Sequence, residues 1–214
     1  MTGRTGIVRS DFFVIGVTGG VGAGKSEILK YLATHYKSRI IHTDAVANEI
    51  KLRGQPCFTP IVALLGEEVL GDDGEIDKGK MAKRIFQDDA LLAQVNAILH
   101  PEVYTYVTDA IREEEAAGSI EFMFIEAALL IEAGYGKIVD EMWYVHADET
   151  IRRKRLKASR GYDDARIDGI LKGQLSEEDF KANADFVIDN SGDLQEACDQ
   201  IAEHIEVLRK GIKE

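Results

Sequence analysis

Proline occurs three times in 214 residues, cysteine twice and tryptophan once. So few prolines argue against long extended linkers, and the composition is that of an ordinary globular chain. The longest apolar runs, such as Phe12 to Val17, fall far short of the ~20 residues that span a bilayer. The first eleven residues, MTGRTGIVRSD, lack the apolar core of a secretory signal and read as a flexible tail. Cys57 and Cys198 form no CxxC pair, so both are expected reduced within helices and the setting cytoplasmic. The five histidines never fall at metal-ligand spacing, which disfavours a protein-held transition metal. Cations are outnumbered, with 26 Lys and Arg against 38 Asp and Glu. The formal net charge is −12, which disfavours a nucleic-acid partner. The local exception is Arg152, Arg153, Lys154, Arg155, Lys157 and Arg160, a run that by itself reads equally as a solvated helix face.

Against that background the apolar pattern predicts an α/β fold. Phe12 to Val17 has the continuous apolar texture of a strand buried on both faces. Further strands are expected at 39–42, 122–125, 142–145 and 186–188, with helices between them, hence a parallel sheet flanked by helices. A helix is expected from about Asp44 to Arg53, and a closing helix striped by Leu194, Cys198, Ile201, Ile205 and Leu208. The stretch from about 57 to 117 reads as helix after helix, broken at Gly71 to Gly74 and restarted with Pro101 in a first helical turn. The expected organisation is one domain over 12–214, with a core of 12–56 and 118–214, a helical insertion at about 57–117 and a basic lid at about 152–175. Asp148 is expected to cap the basic helix, and Ser176 with Asp179 to open another.

Gly19-Gly20-Val21-Gly22-Ala23-Gly24-Lys25-Ser26 fits G-x-x-x-x-G-K-[ST], directly after a strand and opening a helix. Glycines let successive backbone N–H groups turn toward one anion, and the helix start adds its positive dipole end. The spacing assigns Gly20, Gly22, Ala23, Gly24, Lys25, Ser26 and Glu27 to a bound nucleoside triphosphate. Lys25 would neutralise the β- and γ-phosphates, and Ser26 would bind Mg²⁺. Glu27 stands where a hydroxyl would suit the α-phosphate better, so its side chain is expected to point outward. No guanine-reading N-K-x-D and no L-S-G-G-Q-like signature is present, which leaves a small-acceptor kinase. Ligands of such sheets bind beyond the carboxyl ends of the strands, where each of these motifs falls.

Taken together, several segments resemble the dephospho-coenzyme A kinases. The opening Gly16-Val17-Thr18-Gly19-Gly20 to Ser26 is similar to that family's opening. Ile41-His42-Thr43-Asp44 resembles its D-x-D element, with His42 in place of the first carboxylate. His100-Pro101, Ala128-Leu129-Leu130-Ile131-Glu132 (Ala for the usual Pro), Arg155, Arg160-Gly161, Gln174, Ala184-Asp185 and Val187-Ile188-Asp189-Asn190 follow in order. The resemblance implies transfer of the ATP γ-phosphate to the ribose 3′-hydroxyl of dephospho-coenzyme A, with Mg²⁺, by a cytoplasmic monomer or weak homo-oligomer.

It also implies roles. Asp44 accepts the hydroxyl proton, although a lone Asp after a strand is more often a helix N-cap. Arg155 and Arg160 are lid cations, with Arg152 one turn away either joining them or solvated. Glu126, ending a strand, would touch Mg²⁺ through water. Asn190 would contact adenine or merely form an Asx turn. His100 and Glu132 match the family without a chemical argument of their own. Two other readings stay open: a P-loop kinase for a nucleoside monophosphate or sugar acid, and a nucleotide-binding switch without catalysis.

Overall fold

A computed structural model describes residues 12–86, 88–127 and 129–211; the expected N-terminal tail and Ala128 lie outside them. The chain divides into two compact units, one made of residues up to Ile40 and from Ala117 onward, the other of Ile41–Ala116.

The first unit is built on a sheet in the order β2-β3-β1-β4-β5. Its strands are β1 (Phe13–Thr18), β2 (Ser38–His42, which runs on into the second unit), β3 (Phe122–Glu126), β4 (Glu141–His146) and β5 (Phe186–Asp189). β1 pairs in parallel with β3 and with β4, and β4 with β5. Val14, Ile15, Val17, Phe122, Phe124, Trp143 and Val145 have essentially no exposed surface, which is why the central strands read as unbroken apolar runs. Helices α1 (Lys25–His35) and α9 (Leu194–Gly211) cover this core through Ile28, Leu29 and Leu32 on one and Ala197, Ile201 and Ile205 on the other. The register Val17↔Glu126 brings the end of β3 beside the end of β1, where the glycine-rich loop begins.

The opposite end of the sheet is held by side chains. The Asp140 carboxylate accepts the Val14 N–H at 2.7 Å, and that of Asp185 accepts the Met142 N–H at 2.7 Å. Asp185, one of the family-like positions, therefore anchors the start of a strand. Helices α6 (Glu149–Arg160), α7 (Asp164–Lys172) and α8 (Glu177–Ala182) fill the chain between β4 and β5.

The second unit contains α2 (Thr43–Glu49), α3 (Phe58–Leu65), α4 (Lys78–Ile85) and all but the last residue of α5 (Asp89–Ala117). It begins at Ile41 and so takes in α2, which the expected organisation assigns to the core. The break at Gly71–Gly74 is a tight turn closed by an antiparallel bridge between Leu70 and Ile76.

Four local expectations need correction. Pro101 does not restart a helix but lies inside α5. An interior proline costs about 3 kcal/mol, yet Val95, Leu99, Val103, Val107 and Ile111 bury one continuous stripe on both sides of it, and that burial outweighs the lost bond. The helix expected to Arg53 stops at Glu49 and gives way to turns. Cys57 sits at the N-cap position of α3 rather than within a helix, whereas Cys198 lies in α9; both are free and buried. Asp148 occupies the N-cap position of α6 without capping it, its carboxylate lying 3.6 Å from the His146 imidazole. The cap at Ser176 is present, its hydroxyl accepting the Asp179 N–H.

Candidate active site

The site grows from the turn after β1. Gly19 can occupy it only without a side chain, because a Cβ there would lie 2.4 Å from the Val145 carbonyl. Gly24, at φ 96°, is the N-cap of α1 in the left-handed region, and no side chain caps that helix. A helix start without a side-chain cap suits an anion, which would accept from its first N–H groups and meet its dipole. Between these two points the Ala23 N–H bonds the Gly20 carbonyl, and Gly22 takes a positive φ of 84°.

Three cations converge on this loop. The Lys25 ammonium donates to the Gly19 carbonyl at 2.7 Å and lies 3.9 Å from the Glu126 carboxylate. Arg155 divides its guanidinium between the carbonyls of Ala23 (3.2 Å) and Asn190 (2.9 Å). Arg152 donates to the Val21 carbonyl at 3.0 Å and to the Gln174 side-chain carbonyl at 2.6 Å. The same Gln174 oxygen accepts the Val21 N–H at 3.3 Å, so it satisfies a loop donor and an arginine together. Burial draws Arg152 below the ordinary guanidinium value, with Tyr144, Glu149 and Glu177 pulling the other way. A partly desolvated cation is held less by water and more by whatever anion reaches it.

Asn190 is 2% exposed and ties β5 to the loop, its side-chain N–H donating to the Ala23 carbonyl at 2.7 Å. The Asx turn expected there is made by Asp189 instead, whose carboxylate accepts the Ser191 N–H. The side-chain oxygens of Asn190 and Thr18 are buried without a protein partner. Ser26 is exposed on the first turn of α1. Glu27 turns away as expected, lining a cleft between α1 and α9 with Lys30, Tyr31 and Asp193.

Not every residue singled out in the sequence joins this cluster. Arg160 is exposed, with its guanidinium 5.9 Å from the Tyr162 ring, and reaches no loop group. Conversely, Arg152, expected either to join the lid cations or to be solvated, bonds the loop, while Gln174 carried only the family likeness. The 3.6-residue period that sets Arg152 one turn from Arg155 also puts it beside the buried Leu156.

In the second unit Asp44 is exposed on the first turn of α2, after His42 at the N-cap position. No side chain caps α2, so the capping role for Asp44 is not realised; its backbone carbonyl accepts the Asn48 amide at 2.8 Å. His100 is exposed on α5 and Glu132 is exposed in the turns after β3.

Comparison with known proteins agrees with this geometry. A family model described as dephospho-CoA kinase matches residues 13–196. The Carboxydothermus hydrogenoformans dephospho-CoA kinase is 34% identical over 188 residues, 88% of this chain and 90% of its own. That of Moorella thermoacetica is 37% identical over 183 residues, 86% of each chain. A solved protein of Thermus thermophilus superposes with a TM-score of 0.77 at 25% identity, covering 92% of this chain and 97% of its own. With a phosphate loop, three cations upon it and relatives matching nearly end to end, the chain belongs to the dephospho-CoA kinase family.

Proposed function

We propose that this protein transfers the γ-phosphoryl group of ATP to the ribose 3′-hydroxyl of dephospho-coenzyme A, giving coenzyme A and ADP. The observation that carries the reading is the convergence of Lys25, Arg152 and Arg155 on the carbonyls of a loop whose helix has no side-chain cap. Each cation now rests on a backbone oxygen, a weak partner that phosphate oxygens replace readily. Phosphoryl transfer needs such charge placed in advance more than it needs covalent help.

In this reading the loop N–H groups and Lys25 hold the β- and γ-phosphates, while Arg152 and Arg155 neutralise charge on the moving group. As the bond between the γ-phosphorus and the β,γ-bridging oxygen breaks, the 3′-oxygen bonds to that phosphorus and its proton passes to Asp44. Asn190, already bonded to the loop, places the end of β5 for the adenine. Hard oxygen donors suit Mg²⁺, which keeps waters and phosphate oxygens and asks little of the protein. The Ser26 hydroxyl and the Glu126 carboxylate fit that demand and would hold it. When bound, it supplies positive charge to the β- and γ-phosphates. The lid role of α6 and α7, the acceptor-covering role of Ile41–Ala116, work in the cytoplasm on small molecules rather than nucleic acid, and a monomeric or weakly associated state all belong to the same proposal.

The deciding experiment measures ATP consumption with dephospho-coenzyme A beside AMP, shikimate and gluconate. Turnover with dephospho-coenzyme A well above the other three is expected. A preference for any of the others would replace the acceptor and leave only the loop chemistry.

A further inference from the structure

Gln174 lies in the short connector between α7, which ends at Lys172, and α8, which begins at Glu177. The connector is fixed on both sides. The Gln174 N–H bonds the Leu171 carbonyl at 3.3 Å, and the Ser176 hydroxyl caps α8 by accepting the Asp179 N–H. Helix α8 is in turn pressed onto the sheet, where the Phe180 ring stacks on that of Tyr144 in β4 at 4.8 Å. The Gln174 side chain is thus mounted on a support tied to the core.

From there its carbonyl oxygen closes a circuit of hydrogen bonds. It accepts the Val21 N–H of the phosphate loop at 3.3 Å and the Arg152 guanidinium at 2.6 Å. Arg152 Nε completes the ring by donating to the Val21 carbonyl at 3.0 Å. The fit is close, since a Cβ at Gly20 would lie 2.3 Å from the guanidinium and push it aside. Two of the five N–H donors of Arg152 are used in this way, and the other three make no bond to a described residue.

The chemistry of the partners matters as much as their distance. Arg153, the next residue, is held by the carboxylates of Glu149 and Asp168, which cancel its charge as they hold it. Arg152 is held by two neutral carbonyl oxygens, which leave its charge intact. A glutamate at position 174 would have the same shape and would bind the guanidinium more strongly, yet leave little net charge for a phosphate. An arginine fixed in advance also has less rotamer freedom to lose when an anion arrives.

Resting on the kinase reading above, we propose that Gln174 is a positioning residue for phosphoryl transfer. Its side-chain amide fixes Arg152 against the loop, turned toward the moving phosphoryl group, without neutralising the cation. Arg152 meets charge that develops as that group moves, so the effect of Gln174 belongs to kcat more than to ATP binding.

The test is steady-state kinetics of the full chain with ATP and dephospho-coenzyme A. Gln174→Leu and Gln174→Glu are each made in the wild-type background and beside Arg152→Met, and every variant is melted. Gln174→Leu removes the accepting oxygen, and loss of one charge-assisted bond predicts at least about a tenfold fall in kcat, with the KM for ATP little changed. Gln174→Glu keeps the shape and the oxygen, so its Tm should hold or rise while kcat falls at least as far. A residue that only fastened the connector to the loop would not give that split, for glutamate would serve as well as glutamine. With Arg152→Met in place, neither substitution should lower kcat further, because the group through which Gln174 acts is gone. A folded Gln174→Glu enzyme of wild-type turnover overturns the proposal, and so does an undiminished fall in kcat beside Arg152→Met. Should Gln174→Leu not fold, the glutamate variant decides by itself. If the wild-type protein phosphorylates dephospho-coenzyme A and these outcomes fail, only the positioning role is lost. If it does not, the kinase reading falls first and takes the role with it.

Discussion

Arg152 and Arg155 lie three residues apart on α6 and both reach carbonyls of the phosphate loop. Arg153 and Lys157 lie four apart on the same helix and reach carboxylates instead. Arg153 bonds Glu149 on its own helix and Asp168 on α7, and Lys157 bonds Asp164. One basic run thus contains two groups of cations separated by about 150° around the helix. The side bearing Leu156 faces the loop, and in the proposed function its cations meet the phosphates. The other side is neutralised within the protein and fastens α7 to α6. Positive charge in a run is therefore no measure of anion binding; the partner each cation already has decides it.

The sharpest way to break this comparison is at the loop itself. Lys25→Ala should abolish turnover while the protein stays folded, because the ammonium rests on the Gly19 carbonyl at the loop, near the Glu126 carboxylate, and not in the apolar core. ATP consumption together with circular dichroism checks this, and near-normal turnover in a folded variant would sink the kinase reading.

Asp44→Asn comes next. A positioned general base contributes ~10²–10⁴-fold, so the rate of the chemical step should fall at least about a hundredfold. Stability should change by less than about 1 kcal/mol, since Asp44 is exposed and makes no capping bond. Single-turnover kinetics beside a melting curve separate the two. Lost stability with intact turnover would make Asp44 structural. Adding His42→Ala to Asp44→Asn asks whether the neighbouring imidazole takes part of the proton traffic.

Arg155→Ala should lower the turnover rate by about 10²-fold, the usual cost of one preorganised donor. Arg155→Lys should recover only part of it, because an ammonium cannot span the Ala23 and Asn190 carbonyls as a planar fork does. Arg153→Ala is the matched control from the opposite side of α6: its turnover should stay near wild type. A loss equal to that of Arg155 would show that anchoring α7 matters as much as facing the loop.

The smallest effect among the lid arginines that the family likeness named should come from Arg160→Lys. In this structure Arg160 touches only the Tyr162 ring among the described residues. A clear fall in turnover would mean that Arg160 reaches the phosphates in a closed state, and would add a third arginine to the ligand side. Rates measured at saturating ATP and acceptor decide it.

The amino-acid sequence alone determined the phosphate loop, the order of the strands along the chain and the cap at Ser176. Each depends on near neighbours: glycines at fixed spacing, continuous apolar runs, a hydroxyl three residues before its partner. The tertiary structure decided which cations meet the loop, why Gln174 matters to it, and that Asp185 anchors the start of β4. It also decided that α5 runs through Pro101, because the burial on either side of that residue depends on helices distant in sequence. Short-range pattern specifies backbone conformation, whereas a side chain's partner is set by what the fold places opposite it.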